Sequence, residues 1–135
     1  MTLTEEDLTV LCKKILQLDS SIRFVAIVNN LGSIITTEYR QNLMPLMTKE
    51  ETSHYAIQAV LRAATREDFE SKIGRLEYSI GKYERLIRVT VPMRFGGEGR
   101  EEEENKFYYL LLSFDLKSEV IDVIENKVMP FTEKR

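Results

Sequence analysis

Ile22-Arg23-Phe24-Val25-Ala26-Ile27-Val28-Asn29-Asn30-Leu31-Gly32-Ser33-Ile34-Ile35-Thr36-Thr37 is the stretch on which the fold turns. Its first part alternates with a period of two, Ile22, Phe24, Ala26 and Val28 pointing one way and Arg23, Val25 and Ile27 the other. Both faces are apolar, so the segment predicts a strand covered on two sides. Asn29-Asn30-Leu31-Gly32 supplies residues that tolerate positive φ, and the β-branched run from Ile34 to Thr37 resumes the extended pattern. A β-hairpin is the natural reading.

Upstream, Thr4 with Asp7 three residues on is a capping pattern. Acids in the first turn suit the positive end of a helix dipole. Leu8, Leu11, Cys12, Ile15 and Leu18 follow at helical spacing, which makes Cys12 a small buried apolar residue rather than a nucleophile. Downstream, residues 39–47 hold Pro45 and no clear period and read as a connection. Thr48 with Glu51 then opens a second helix running to about Ala64.

That second helix carries a broad apolar arc. At 100° steps, Ala56, Ile57, Ala59, Val60, Leu61, Ala63 and Ala64 span roughly 200°, against the roughly 100° needed to pack on one surface. The reading adopted is that Ile57, Val60, Leu61 and Ala64 cover the sheet while the alanine side meets a second chain. The alternative is a helix wedged between its own sheet and its own loop. The complementary arc holds His54, Gln58, Glu51, Arg62, Tyr55 and Arg66, a polar stripe expected to be solvated. Without a second His or Cys nearby, His54 is expected on a solvated face and not at a metal. Arg62 and Arg66 are one turn apart and could hold a carboxylate or phosphate jointly.

Thr65 with Asp68 suggests a fresh N-cap, giving a short helix over 66–73 stopped by Gly74. A strand over 76–80 follows, then a turn at Gly81-Lys82-Tyr83-Glu84. A second strand over 85–93 sets Ile87, Val89 and Val91 against Leu86, Arg88 and Thr90, with Pro92 near its end. Residues 96–105 are rich in glycine and glutamate. Glu102 stands where the third glycine of a dinucleotide loop would be, so a solvated hairpin tip is expected, not a phosphate loop. Residues 107–114 are apolar on both faces, a second central strand, and Ser118 is placed to cap a last helix bearing Val120, Ile121, Ile124 and Val128.

Composition bounds the function. With 135 residues, 43% hydrophobic, the chain fits a single domain over 1–135. Nineteen Lys and Arg against 22 Asp and Glu leave a net charge of −3, which gives no general attraction to nucleic acid. One cysteine excludes an internal disulfide framework. No apolar run approaches the roughly 18 residues of a membrane span, and the N-terminus lacks the pattern of a signal peptide, so a cytoplasmic protein without membrane insertion is expected. No set of residues forms a complete catalytic, metal or cofactor signature, and no enzyme activity or cofactor is expected.

The helix, hairpin, long helix, three strands and terminal helix form an order α-β-β-α-β-β-β-α. This order resembles Roadblock/LC7 domains and, more loosely, profilin-like and longin domains, with sequence-level likeness to small archaeal proteins of unknown function. The resemblance covers residues 4–129. It implies an α/β (α+β) fold with a five-stranded, mainly antiparallel sheet ordered 2-1-5-4-3 and helices on both faces. It also implies dimerisation through the edge strand and the second helix, and service as a scaffold or regulator of small GTPases and motor complexes. On this reading the homodimer interface comprises Ala56, Ala59, Val60, Ala63, Glu77, Tyr78, Ser79 and Ile80, and the function is a non-enzymatic interaction module in signalling. The alternative is a profilin-like sensor that binds a small anion through Arg23, Arg62 or Arg66.

Overall fold

A computed structural model describes residues 4–94 and 107–132. The acidic stretch over 96–105 therefore lies outside the described residues. Helix α1 (Glu5–Leu16) opens with the expected reciprocal cap, the Asp7 amide donating to the Thr4 hydroxyl and the Thr4 amide to the Asp7 carboxylate, each at 3.0 Å. It buries Leu8, Cys12 and Ile15. The Cys12 thiol donates to the Val25 carbonyl at 3.4 Å, and burial, with Glu38 adding to it, pushes its pKa up to about 12. Such a thiol is a packing residue.

Strands β1 (Ile22–Asn29), β2 (Ile34–Tyr39), β3 (Ser79–Lys82), β4 (Ile87–Arg94) and β5 (Phe107–Phe114) form one sheet in the order β2-β1-β5-β4-β3, every neighbour antiparallel. The two strands with apolar residues on both faces, β1 and β5, lie side by side. Between them Ile22 pairs with Phe114 but Phe24 with Ser113, so Arg23 is an extra residue, a β-bulge. The bulge moves Ile22 to the face of Val25 and Ile27, away from the Phe24, Ala26 and Val28 side where strict alternation placed it.

The hairpin closes through Asn29, whose side-chain oxygen accepts from the amides of Leu31 and Ser33 at 2.9 and 3.0 Å. Gly32 takes φ +89°, and a Cβ there would lie 2.9 Å from the Cα of Ile57, so the turn is seated directly on the second helix.

One face of the sheet packs under α1 and the C-terminal helical segment, the other under α2 (Lys49–Arg66). The Thr48 and Glu51 capping box forms as expected. Thr65 does not begin a new helix, because its hydroxyl donates to the Leu61 carbonyl at 3.0 Å and α2 continues to Arg66. A 3-10 turn (Glu67–Phe69) and the short α3 (Glu70–Ile73) follow, ending at Gly74 with φ +92°.

Strand β3 starts later than its apolar pattern suggests. The Tyr83 amide donates to the Leu86 carbonyl, which sets Lys82 opposite Ile87 and Ser79 opposite Thr90. Continuing that register would put Glu77 opposite Pro92, which has no N–H to extend the ladder. Glu77 and Tyr78 thus precede the strand, and the Tyr78 hydroxyl donates to Glu125 at 2.6 Å.

The last helical segment comprises α4 (Val120–Val123), a π-helical turn (Ile124–Val128) and a 3-10 turn (Met129–Phe131), burying Val123, Ile124 and Val128. Glu119, not Ser118, stands at its N-terminal boundary, without a side-chain cap.

Candidate functional site

The buried side of α2 is the alanine side. Ala56, Ala59 and Ala63 are 0, 2 and 1% exposed and Val60 is 5%, packed with Ala26, Val28, Tyr109 and Leu111 of β1 and β5. These four residues cannot present a surface to a second chain. The arrangement reverses the expected one: Ile57 is 46% exposed and Leu61 63%. Its physical cause is depth. Tyr109 and Leu111 of β5 already fill space beneath the helix, so its small side chains fit against them.

Tyr55 of α2 reaches Arg88 of β4, and the face is open beside the helix toward β3. A cleft of about 180 Å³ lies there, with Arg62 and Arg66 on the helix side, Arg88 and Thr90 on β4, and Ser79 and Tyr83 on the far side. Residues paired across antiparallel strands share a face, so the pairs Ser79 with Thr90 and Gly81 with Arg88 form its floor. No aspartate or glutamate lines the cleft among the described residues.

Arg88 is held in place by aromatic rings. Its guanidinium carbon sits 3.7 Å from the centre of the Tyr55 ring and 5.7 Å from that of Tyr83, and Nη2 points at Met47 Sδ at 2.7 Å. Burial drives the Tyr55 phenol upward in pKa, against the opposing pull of Arg88. It therefore stays protonated at neutral pH.

Two of the three arginines expected to bind an anion share this cleft, whereas Arg23 lines a neighbouring pocket that also touches Arg88 and Tyr55. Arg23 donates to Asp115 at 3.3 Å, and Arg40 grips the same carboxylate with two bonds of 2.8 and 3.0 Å. These bonds, Arg40 foremost, hold the Asp115 carboxyl below its usual range. Arg23 is thus engaged in a clamp joining the ends of β1, β2 and β5.

Arg88 takes its place beside Arg62 and Arg66. Alternation on β4 carried the signal, since Arg88 and Thr90 stand opposite the buried Ile87, Val89 and Val91. What sequence could not supply was the placement of β4 beside α2.

Of the expected interface residues, Ser79 and Ile80 lie on the β3 edge, with Ile80 37% exposed, whereas Glu77 and Tyr78 lie before it. His54 is exposed, and among the described residues no group of three or more His, Cys, Asp or Glu is placed to hold a metal. No helix among them is long and apolar enough to cross a membrane.

No protein-family model and no curated protein sequence matches the chain. Solved structures do resemble it. The gliding protein MglB from Thermus thermophilus is 13% identical with a TM-score of 0.64, over 98% of this chain and 93% of that one. An MglB with tetrameric arrangement gives 13% and 0.65 over the same shares. A Roadblock/LC7 domain from Streptomyces avermitilis gives 8% and 0.60, over 92% of this chain and 87% of that one. Together with the element order and sheet order described above, this likeness gives the chain a Roadblock/LC7-like fold.

Proposed function

We propose that this protein is a non-enzymatic interaction module whose subunits associate through the β3 edge and display a platform to a protein partner. The observation that carries the reading is that edge. β3 pairs with β4 on one side only and holds no proline, and its single lysine is the last residue. An unblocked edge is a template for a second strand.

The alanine face of α2 no longer belongs to the interface, which reduces the helix contribution to its outer residues. Ile57 and Leu61, one turn apart, and Leu31 at 78% exposure beside Gly32 form apolar surface suited to a partner. Self-assembly of this fold has a counterpart in the tetrameric arrangement of MglB. A small GTPase is the partner class that the Roadblock/LC7 resemblance implies.

Light scattering coupled to size exclusion at micromolar concentration tests the association. A dimer is expected for the native chain and a monomer for Ile80→Lys, which puts a charge on the strand edge. A clean native monomer would remove the reading. Capture of a small GTPase by the native chain, weakened by Leu61→Asp, would support the partner class, and indifference to that change would count against this surface.

A further inference from the structure

We infer that the cleft between α2 and the β3–β4 ladder is a binding site for a phosphate monoester group. Three arginines, Arg62, Arg66 and Arg88, line one space of about 180 Å³, and no carboxylate among the described residues lines it, in a chain whose acids outnumber its bases by 22 to 19. Like charges gathered around one space repel one another, and an anion relieves that repulsion.

The donors exceed what a carboxylate can accept. Arginine presents a planar fork that matches two oxygens, and a carboxylate has only two to offer, whereas a phosphate monoester brings three terminal oxygens and nearly two negative charges. The hydroxyls of Ser79, Tyr83 and Thr90 also line the space. Arg88 is pre-positioned by its stacking on Tyr55, so less of its side-chain freedom remains to be lost on binding.

Size limits the ligand. A pocket for a whole drug-sized molecule spans about 300–1,000 Å³, so this cleft takes the phosphate head and leaves the rest of the ligand outside.

The inference is independent of subunit association, and the two are measured separately on the same samples. Titration with inorganic phosphate at low salt, followed by amide chemical shifts, should show saturable changes at Ser79, Gly81 and Thr90. Glycerol phosphate and a phosphoserine peptide then distinguish a free metabolite from a phosphorylated chain as the source, whichever binds more tightly.

The double variant Arg62→Gln/Arg66→Gln alters exposed residues only and should weaken binding at least tenfold. Arg88→Lys, which keeps the charge but loses the fork, should weaken it as well. Lys14→Gln, on the helix that covers the opposite face of the sheet, should leave it unchanged. Absence of saturation by about 0.1 M phosphate, where salt already screens surface charges, or equal affinity in the double variant, would overturn the site. Light scattering on those samples reports association, so a monomer that binds phosphate leaves this inference standing while removing the dimer.

Discussion

Arg88 lies with its guanidinium over the face of Tyr55, 3.7 Å from the ring centre, and so couples β4 to α2. Tyr55 is 9% exposed, which makes the contact substantially desolvated. Arg88→Ala should lower stability by about 1–2 kcal/mol through the lost cation–π contact and the lost packing of its stem. Tyr55→Phe keeps the ring and gives up only the hydroxyl, so it should cost no more than about 1 kcal/mol. A double-mutant cycle by urea denaturation should return a coupling of about 1 kcal/mol between Arg88 and the Tyr55 ring. A coupling near zero would show that the stacking is incidental.

Two glycines with positive φ should respond differently to substitution. Gly74→Ala meets backbone strain alone, because nothing lies within 4 Å of the new Cβ. It should cost about 1–2 kcal/mol. Gly32→Ala meets the same strain and also a contact of 2.9 Å with the Ile57 backbone. Its cost should reach about 3 kcal/mol or more, as the hairpin turn is forced off α2. Equal midpoints for the two variants in chemical denaturation would contradict the close seating of the turn.

The alanine face offers a third test. Were Ala59 at a subunit boundary, a larger side chain would disturb association and make stability depend on protein concentration. At 2% exposure against its own sheet, Ala59→Leu should instead overpack the protomer, lowering stability by about 1–3 kcal/mol. The thermal midpoint should fall equally at dilute and concentrated protein.

Asp19 sets part of the acid response. Ser21 Oγ donates to it at 2.6 Å and Lys127 Nζ at 2.9 Å, and these bonds, the Ser21 hydroxyl first, bring its pKa down to about 2. The unfolded chain holds such a carboxyl near 3.9. Since the folded value is the lower one, the stabilisation is complete above about pH 4 and is lost as the pH falls toward 2. Allowing for solvent screening, Asp19→Asn should remove about 1 kcal/mol at neutral pH and flatten the acid limb in that window. Denaturation curves between pH 7 and 2 provide the measurement.

Much of the architecture was legible because local chemistry and fold agree. Thr48 and Glu51 cap α2 in the structure as their spacing requires, and the runs on β1 and β5, apolar on both faces, take interior places in the sheet. Boundaries failed where the presence or lack of a hydrogen-bond partner, near or far along the chain, decided them. Pro92, on the neighbouring strand, limits β3, and the Leu61 carbonyl claims the Thr65 hydroxyl that resembled a cap. The candidate site was half legible. Arg62 and Arg66 share a helix face by spacing alone, whereas Arg88 joins them only through the pairing of β4 in the sheet.

The sequence by itself determined the order of elements, the two interior strands and the helix caps at Thr4 and Thr48, because periodicity and capping act between residues close along the chain. Tertiary structure alone decided which side of α2 lies on the sheet. Hydrophobic content ranked Ile57 and Leu61 as the buried pair, yet the close approach of helix to strand selected Ala56, Ala59 and Ala63. Space between elements is a property of both partners at once, and no window of sequence contains both. The pairing of β3 with β4 beside α2 likewise put three arginines around one cleft.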